Sequence, residues 1–366
     1  MDTARLREVT SEELEPLATG AWVLGAGGGG DPYFSWLNLR KLYREGRRVR
    51  LLDPMGLSDD DWVAVVSMMG APLVIQERLT DAALAAKPVR MMEEFTGRKF
   101  DAIMPVEIGG SNALQPFLAG ALLDLPVVDA DAMGRAFPEG QMNSFAIHGL
   151  PMFPFTLADI RDNEVVIART ASWEWLERLS RKVTTEVGSL AFTCKPPRTG
   201  KDVKHCAILH TVSKAIRIGQ TVHAARRRHL DPIEQLLKAE GGKLLFRGKV
   251  AAVARRTTEG FLRGSARLEG LDNFARHSAE LLFQNEFSIG LIDDVPRVMT
   301  PDIICTMDSD SGEAIGTEAL RYGQRVTIIA LPAPSLLLTA KGLEHVGPKA
   351  FGYDLQFRSV FEDGAE

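Results

Sequence analysis

Two short apolar runs with a helical span between them constrain this chain most. Residues 102–106 lead into Glu107, Gly109 and Gly110, and residues 125–128 empty into Asp129, Asp131, Arg135, Glu139 and Gln141. Short apolar runs bounded by Gly and Pro around a helix predict a β-α-β unit, and so a sheet with parallel strands. Ligands of such sheets bind outside the carboxyl ends of the strands. Both ends carry carboxylates here, so residues 100–143 are the first place to look for chemistry.

The preceding segment fits the same class. A helix is expected over 9–22, with Ser11 as its cap and Glu12 and Glu13 in the first turn, where the helix dipole favours acids. Gly27, Gly28, Gly29 and Gly30 follow, then Asp31-Pro32 and an amphipathic helix through Tyr43. Consecutive glycines let backbone amides approach a ligand and point at an anion. The order GAGGGGD fits the dinucleotide fingerprint only loosely and lacks the Gly-Lys-Ser/Thr ending of a Walker loop. Two readings stand: a tight turn, or a glycine floor to a small-molecule pocket with Asp31 at its rim.

Strands are expected at 49–52 and 62–67, the second running into Met68-Met69-Gly70-Ala71-Pro72. That turn either fills gaps in the interior, as Met does well, or lines a pocket with Met69. A helix over 82–96, a hairpin of 156–159 with 164–167, and a helix over 173–179 come next.

The pattern changes near residue 180. A strand over 184–192 is expected, then a polar, Pro-rich break at 195–200, one long basic helix over 201–229 and a second over 232–240. From Leu244 onward, short runs separated by turn residues predict an antiparallel sandwich or barrel. The expected architecture is a three-layer α/β domain with a mostly parallel sheet over 1–175. A β-rich sandwich or barrel with a helical insert near 201–240 follows over 176–366.

Composition narrows the function. A net charge of -5 offers no field for nucleic acid. The charged N-terminus lacks the apolar stretch of a secretory signal, and no run of about 18 apolar residues exists to span a membrane. Three cysteines, Cys194, Cys206 and Cys305, are odd in number and far apart, which fits a reducing cytosol. A cytoplasmic protein is expected.

The seven histidines show no ligand spacing, Cys-x-x-Cys is absent, and His205, Cys206 and His210 would point in different directions on a helix. No G-x-S-x-G elbow occurs, and Cys194 has no local base. Acids remain. One of Asp129 and Asp131 is expected to face the pocket and the other the structure, with Glu107 in the same crevice. Crowded carboxylates raise one another's pKa and yield an acid and a base near neutrality. Arg135 would neutralise one of them or hold an anionic substrate. The alternatives are that Asp129 and Asp131 cap the following turn, or that Asp31, Glu107, Asp129 and Asp131 hold a divalent metal.

Several longer motifs carry a resemblance. They are G-x-G-G-G-G-D-P at 25–32, M-M-G-A-P at 68–72, E-I-G-G-x-N-A at 107–113 and V-D-A-D-x-M-G-R-A-F-P-E-x-Q-M at 128–142. L-L-F-R-G-K-V at 244–250, F-Q-N-E at 283–286, P-D-I-I at 301–304, L-R-Y-G-Q-R-V at 320–326 and V-G-P-K-A-F-G-Y-D at 346–354 extend the match over nearly the whole chain. The chain thus resembles a bacterial family long known as a domain of unknown function and now named for S-methyl thiohydantoin desulfurase.

The resemblance implies an α/β domain followed by a β-rich one, and removal of sulfur from a 2-thiohydantoin or S-methyl thiohydantoin ring. It also implies company with hydantoinase/oxoprolinase-type proteins. The expected reaction is hydrolytic: Asp129, Asp131 or Glu107 activates water for attack on C2, while the amides of residues 27–30 and of Gly109 and Gly110 stabilise the adduct. Met69, Asn112, Arg135, Glu139 and Gln141 are expected around the ring. Gln284-Asn285-Glu286 and Phe351-Gly352-Tyr353 are expected to close the pocket. The expected partner is a small heterocycle, with a homo-oligomer or a hydantoinase-type complex as further associations. The competing functions are a metal-assisted cyclic amidase and a non-catalytic subunit of such a complex.

Overall fold

A computed structural model describes residues 1–70, 74, 77, 81–258 and 260–362. Ala71 and Pro72 of the Met-Met-Gly-Ala-Pro turn lie outside the described residues.

The β-α-β unit forms as its pattern dictates. Strands β1 (Leu6–Glu8), β2 (Arg50–Leu52), β3 (Trp62–Gly70), β4 (Ala102–Pro105) and β5 (Val127–Val128) lie in the order β1-β2-β5-β4-β3. A short β6 (Ala130–Asp131) leaves this sheet, which β7 (Phe155–Ala158), β8 (Glu164–Ile167) and β9 (Leu190–Thr199) complete as β3-β9-β7-β8. The pairs β2–β5, β5–β4 and β4–β3 are parallel, whereas β1–β2, β3–β9, β9–β7 and β7–β8 are antiparallel. The sheet is therefore mixed rather than mostly parallel. Hairpin and return connections, not crossovers, bring in its outer strands.

Alternation along β3 and β4 builds the layers. Ala64, Val66, Met68 and Ile103 enter one core with Phe117 and Leu118, and Val63, Val65, Ala102 and Met104 enter another with Phe145 and Val203. Both faces are covered, which explains why β3 reads as an unbroken apolar run.

The second half is a separate antiparallel sheet. It comprises β11 (Lys243–Thr258), β12 (Phe261–Gly270), β13 (Ser278–Gln284), β14 (Glu286–Ile292), β15 (Val295–Met299), β16 (Ile303–Asp308), β17 (Ala314–Ile315) and β18 (Arg325–Leu331). Their order is β15-β14-β13-β12-β11-β18-β16-β17, around a core that includes Phe246, Phe283 and Phe287.

Two stretches depart from expectation. Residues 195–200 are no break, because β9 runs through Pro196 and Pro197 to Thr199. The prolines fall at the register shift opposite Val63 and Val65 and beyond the pairing with β7, where no ladder donor is needed. The expected strand over 184–192 begins only at Leu190, since the preceding helix (Trp173–Glu186) extends to Glu186.

Nor is 201–229 one helix. The chain leaves it after Cys206, pairs β10 (Ile208–Leu209) with β6, and turns at His210 (φ 63°) into a new helix, Thr211–Arg227. That helix packs closely on Leu14–Leu24 through two glycines. A Cβ at Gly20 would lie 1.8 Å from the Ala215 carbonyl oxygen, and one at Gly219 would lie 1.9 Å from that of Pro16.

The two halves are stitched together beside the glycine-rich loop. Phe287 N–H donates to the Ala26 carbonyl at 2.8 Å, and Thr317 N–H donates to that of Gly27 at 2.8 Å. Arg135, fully buried, donates to the carbonyls of Ala136 (3.0 Å), Asp302 (2.9 Å) and Phe287 (3.0 Å).

Candidate active site

The glycine-rich loop, the segment after β4 and the β13–β14 turn converge on a polar cavity of ≈ 80 Å³. That is room for about five to eight water-sized groups, the scale of one small heterocycle.

Glu107 reaches it from the carboxyl end of β4. It accepts from Asn112 Nδ2 and, at 3.2 Å, from Phe137 N–H, while Asn112 Oδ1 accepts from Met68 N–H at 2.6 Å. One amide side chain thus ties Glu107 to the end of β3. Burial pushes the Glu107 carboxyl up to about 7; the Asp131 charge adds to this, and the two hydrogen bonds oppose it.

Glu286 enters from the other half. Gln284 and Glu286 face each other across the turn, with Asn285 at its apex in the left-handed region (φ 58°) that Asn tolerates. Asn285 is clamped: its N–H donates to the Leu262 carbonyl (2.7 Å), its Oδ1 accepts from Leu262 N–H (2.8 Å), and its carbonyl accepts from Thr317 Oγ1 (2.6 Å). The turn so held directs Glu286 at the glycine-rich loop, where Oε1 accepts from Gly29 N–H at 3.2 Å and Oε2 is buried without a partner. A Cβ at Gly28 would sit 2.1 Å from Oε1, so the close approach requires glycine there. Burial and then the Glu107 charge raise the Glu286 carboxyl well above its ordinary range, against the pull of Arg135. Burial and the neighbouring charge both favour the protonated form of the Glu286 carboxyl.

The sheet forms the remaining wall. Ser67, Met68 and Met69 line it at the end of β3, with Lys195 beside them on β9. Lys195 lies 5.0 Å from the Phe155 ring centre and has no ion-pair partner among the described residues. Burial lowers its pKa. Glu177 and Arg181 close the rim as a 2.5 Å ion pair, Glu177 also accepting from Gly140 N–H at 2.9 Å. Glu139 accepts from Gln141 Nε2 (2.5 Å) and from Gln284 Nε2 (2.9 Å), joining the halves across the rim.

Of the residues singled out from sequence, Gly29, Gly30, Met69, Glu107, Asn112, Glu139, Asn285 and Glu286 line this cavity, and Gly28 backs it. Others sit elsewhere. Asp129 accepts from Ser213 N–H (2.9 Å) and Ser213 Oγ (2.6 Å) and lies 3.5 Å from His210 Nδ1, in a surface groove with Arg5 and Arg7. It caps the helix after His210 and shares no crevice with Glu107. Asp131 Oδ2 accepts from Ile108 (2.9 Å), Met133 (3.1 Å) and Gly134 (2.7 Å) N–H groups, which organises the loop behind Glu107.

Gly109 and Gly110 are packing positions: a Cβ on either would fall 2.5–2.6 Å from backbone atoms of the facing segment. Arg135 spends its guanidinium on carbonyls and acts on Glu286 only through space. Asp31 accepts from Tyr33 N–H at 2.8 Å, and Gln141 braces Glu139. Phe351 and Gly352 lie off the cavity, and Tyr353 Oη meets Ser288 Oγ at 3.1 Å. Sequence reasoning missed Ser67, Glu177, Arg181 and Lys195. The signal for Lys195 was its place beside Cys194 in an otherwise apolar run, concealed by the prolines after it.

Comparison with known proteins places this geometry in a family. Residues 12–169 match the model of the S-Me-THD-like N-terminal domain, and residues 171–360 match that of the S-Me-THD-like C-terminal domain. The chain belongs to the S-methyl thiohydantoin desulfurase (S-Me-THD-like) family. A crystal structure of a protein from Chromobacterium violaceum is similar in fold, with a TM-score of 0.80 and 23% identity over 97% of this chain and 100% of that one. No curated protein matches. For this S-Me-THD-like chain, no group of three or more His, Cys, Asp or Glu side chains among the described residues is placed to hold a metal ion. Among the same residues no helix is long and apolar enough to cross a membrane.

Proposed function

We propose that this protein hydrolyses a 2-thiohydantoin or S-methyl thiohydantoin ring to the hydantoin, with Glu107 and Glu286 sharing the acid and base roles. The observation that carries this reading is the pair of buried carboxyls, one from each half, at a cavity sized for one small ring. The ionised member takes a proton from water as its oxygen attacks C2. In the S-methyl ring the protonated member gives its proton to the ring nitrogen that receives the C2=N electron pair; in a 2-thiohydantoin the C2=S pair goes to sulfur, which takes that proton. A carboxyl near neutrality suits both transfers. Family membership supports the ring class. Asp129 and Asp131, first candidates by sequence, serve here as a helix cap and a loop anchor.

The test is sulfide and methanethiol release from a panel of 2-thiohydantoins and their S-methyl derivatives. Turnover by the wild type, loss of about 10²-fold or more in Glu107→Gln and Glu286→Gln, and retention in Asp129→Asn are expected. Ring opening without release of sulfur would replace this reading with a cyclic amidase.

A further inference from the structure

Lys195 is the one cavity-lining group whose chemistry the carboxyl pair leaves unused. It stands on β9 opposite Val65, while Ser67 and Thr193, the next pair toward the cavity, bond to each other through their hydroxyls at 2.8 Å. Met68 and Met69 continue the same wall. The carboxyls come from elsewhere, Glu107 from the loop after β4 and Glu286 from the β13–β14 turn. The cavity therefore has a carboxyl side and a sheet side, and the sheet side combines Met69, on the same face of the ladder, with one ammonium. Glu177, the nearest candidate to neutralise that ammonium, is already committed to Arg181 and the Gly140 amide. A half-buried cation in direct ion-pair contact with no carboxylate among the described residues, and felt by Glu177 and Glu107 only through space, can stabilise negative charge that arrives during the reaction.

We infer that Lys195 is the proton donor to the departing sulfur, so that the leaving group faces the Met69 wall and the ring nitrogens face the carboxyls. This rests on the hydrolytic reading above. Water oxygen bonds to C2 with loss of one proton to the ionised carboxyl, and the C2=N pair takes a proton from the other carboxyl, giving a neutral tetrahedral adduct. In this S-methyl adduct the C2–S bond then breaks with its electron pair on sulfur, which takes a proton from Lys195 and leaves as methanethiol. The adduct hydroxyl yields its proton to the carboxylate formed in the first step as C2=O forms. The proton first taken from water returns to Lys195, and every group is reset. Burial, which lowers the lysine pKa towards that of a thiol, improves the match.

The test is leaving-group dependence. In Lys195→Met, kcat for the S-methyl substrate should fall about 10²–10³-fold, while an S-aryl analogue, whose thiolate leaves without protonation, should lose less than about tenfold. Lys195→Ala should regain part of its S-methyl activity with added alkylammonium, and turnover of the S-aryl substrate shows that each variant is folded. An equal loss for both leaving groups, or a rise in KM with unchanged kcat, makes Lys195 a structural or substrate-binding residue and overturns the inference. Lack of turnover of any substrate by the wild type overturns the hydrolytic reading, and this inference with it.

Discussion

The sharpest perturbation is one methyl group at Gly28. Its Cβ would lie 2.1 Å from Glu286 Oε1, 2.5 Å from Cδ and 2.7 Å from Cγ, whereas ordinary contact begins at 3.4 Å. The carboxyl must therefore retreat by about 1 Å, giving up the Gly29 N–H bond, worth about 1 kcal/mol net. A displacement of about 1 Å in a reacting group costs on the order of 10²-fold in rate. Gly28 does not occupy the left-handed region, so Ala adds no backbone strain there. Gly28→Ala should thus reduce kcat about 10²-fold with a Tm lowered by only a few degrees. Gly27→Ala, at φ 88° with its Cβ 2.5 Å from the Phe287 ring, should instead unsettle the fold. Shortening the acid makes room, so Gly28→Ala with Glu286→Asp should retain more activity than the product of the two single residual activities. Thiol-release kinetics with a thermal melt on each variant check this. Full activity in Gly28→Ala would refute the placement of Glu286 against the loop.

Two further outcomes follow from groups outside the cavity. Asp129→Asn should lose about 1 kcal/mol of stability by weakening the cap on Ser213, read as a lowered denaturation midpoint, with turnover kept. Glu318 has both carboxylate oxygens buried and unpartnered, and burial holds it at about 7. A carboxyl raised on folding binds its proton more tightly in the native state, so its contribution is present below the unfolded value and is lost as pH rises through about 7. Tm should therefore fall as pH rises from about 4.5 to about 7 and level off above it, and Glu318→Gln should reduce that slope; an unchanged slope would assign it to other groups.

The β-α-β unit was legible because its signals are local. Apolar runs of five and four residues, Gly and Pro boundaries and a helix between them are all written within residues 100–143, and Glu107 was marked by its place at a strand end. The local β7–β8 hairpin was legible, but the sheet's direction was not, since antiparallel β9 joins β3 and β7 from far along the chain. Pro196 and Pro197 read as a break because a sequence does not state which strand edge lacks a neighbour. Asp129 misled for a related reason. A carboxylate after a strand serves a ligand or a helix N-terminus equally well, and the choice was made by Ser213, 84 residues away.

The same logic explains why the site's second acid needs the whole chain. Glu286 gains meaning only when the Asn285 turn is clamped by Leu262 and Thr317 and laid against Gly28 and Gly29. Without that loop its carboxyl would ionise in solvent at an ordinary pKa, and without Glu286 the Glu107 carboxyl would lose its counterpart in the proposed acid–base pair. The buried Arg135, spanning from the loop after β6 to the carbonyls of Phe287 and Asp302, fixes the two halves at this junction. The pair of buried carboxyls is thus a property of the junction, and neither half alone contains it.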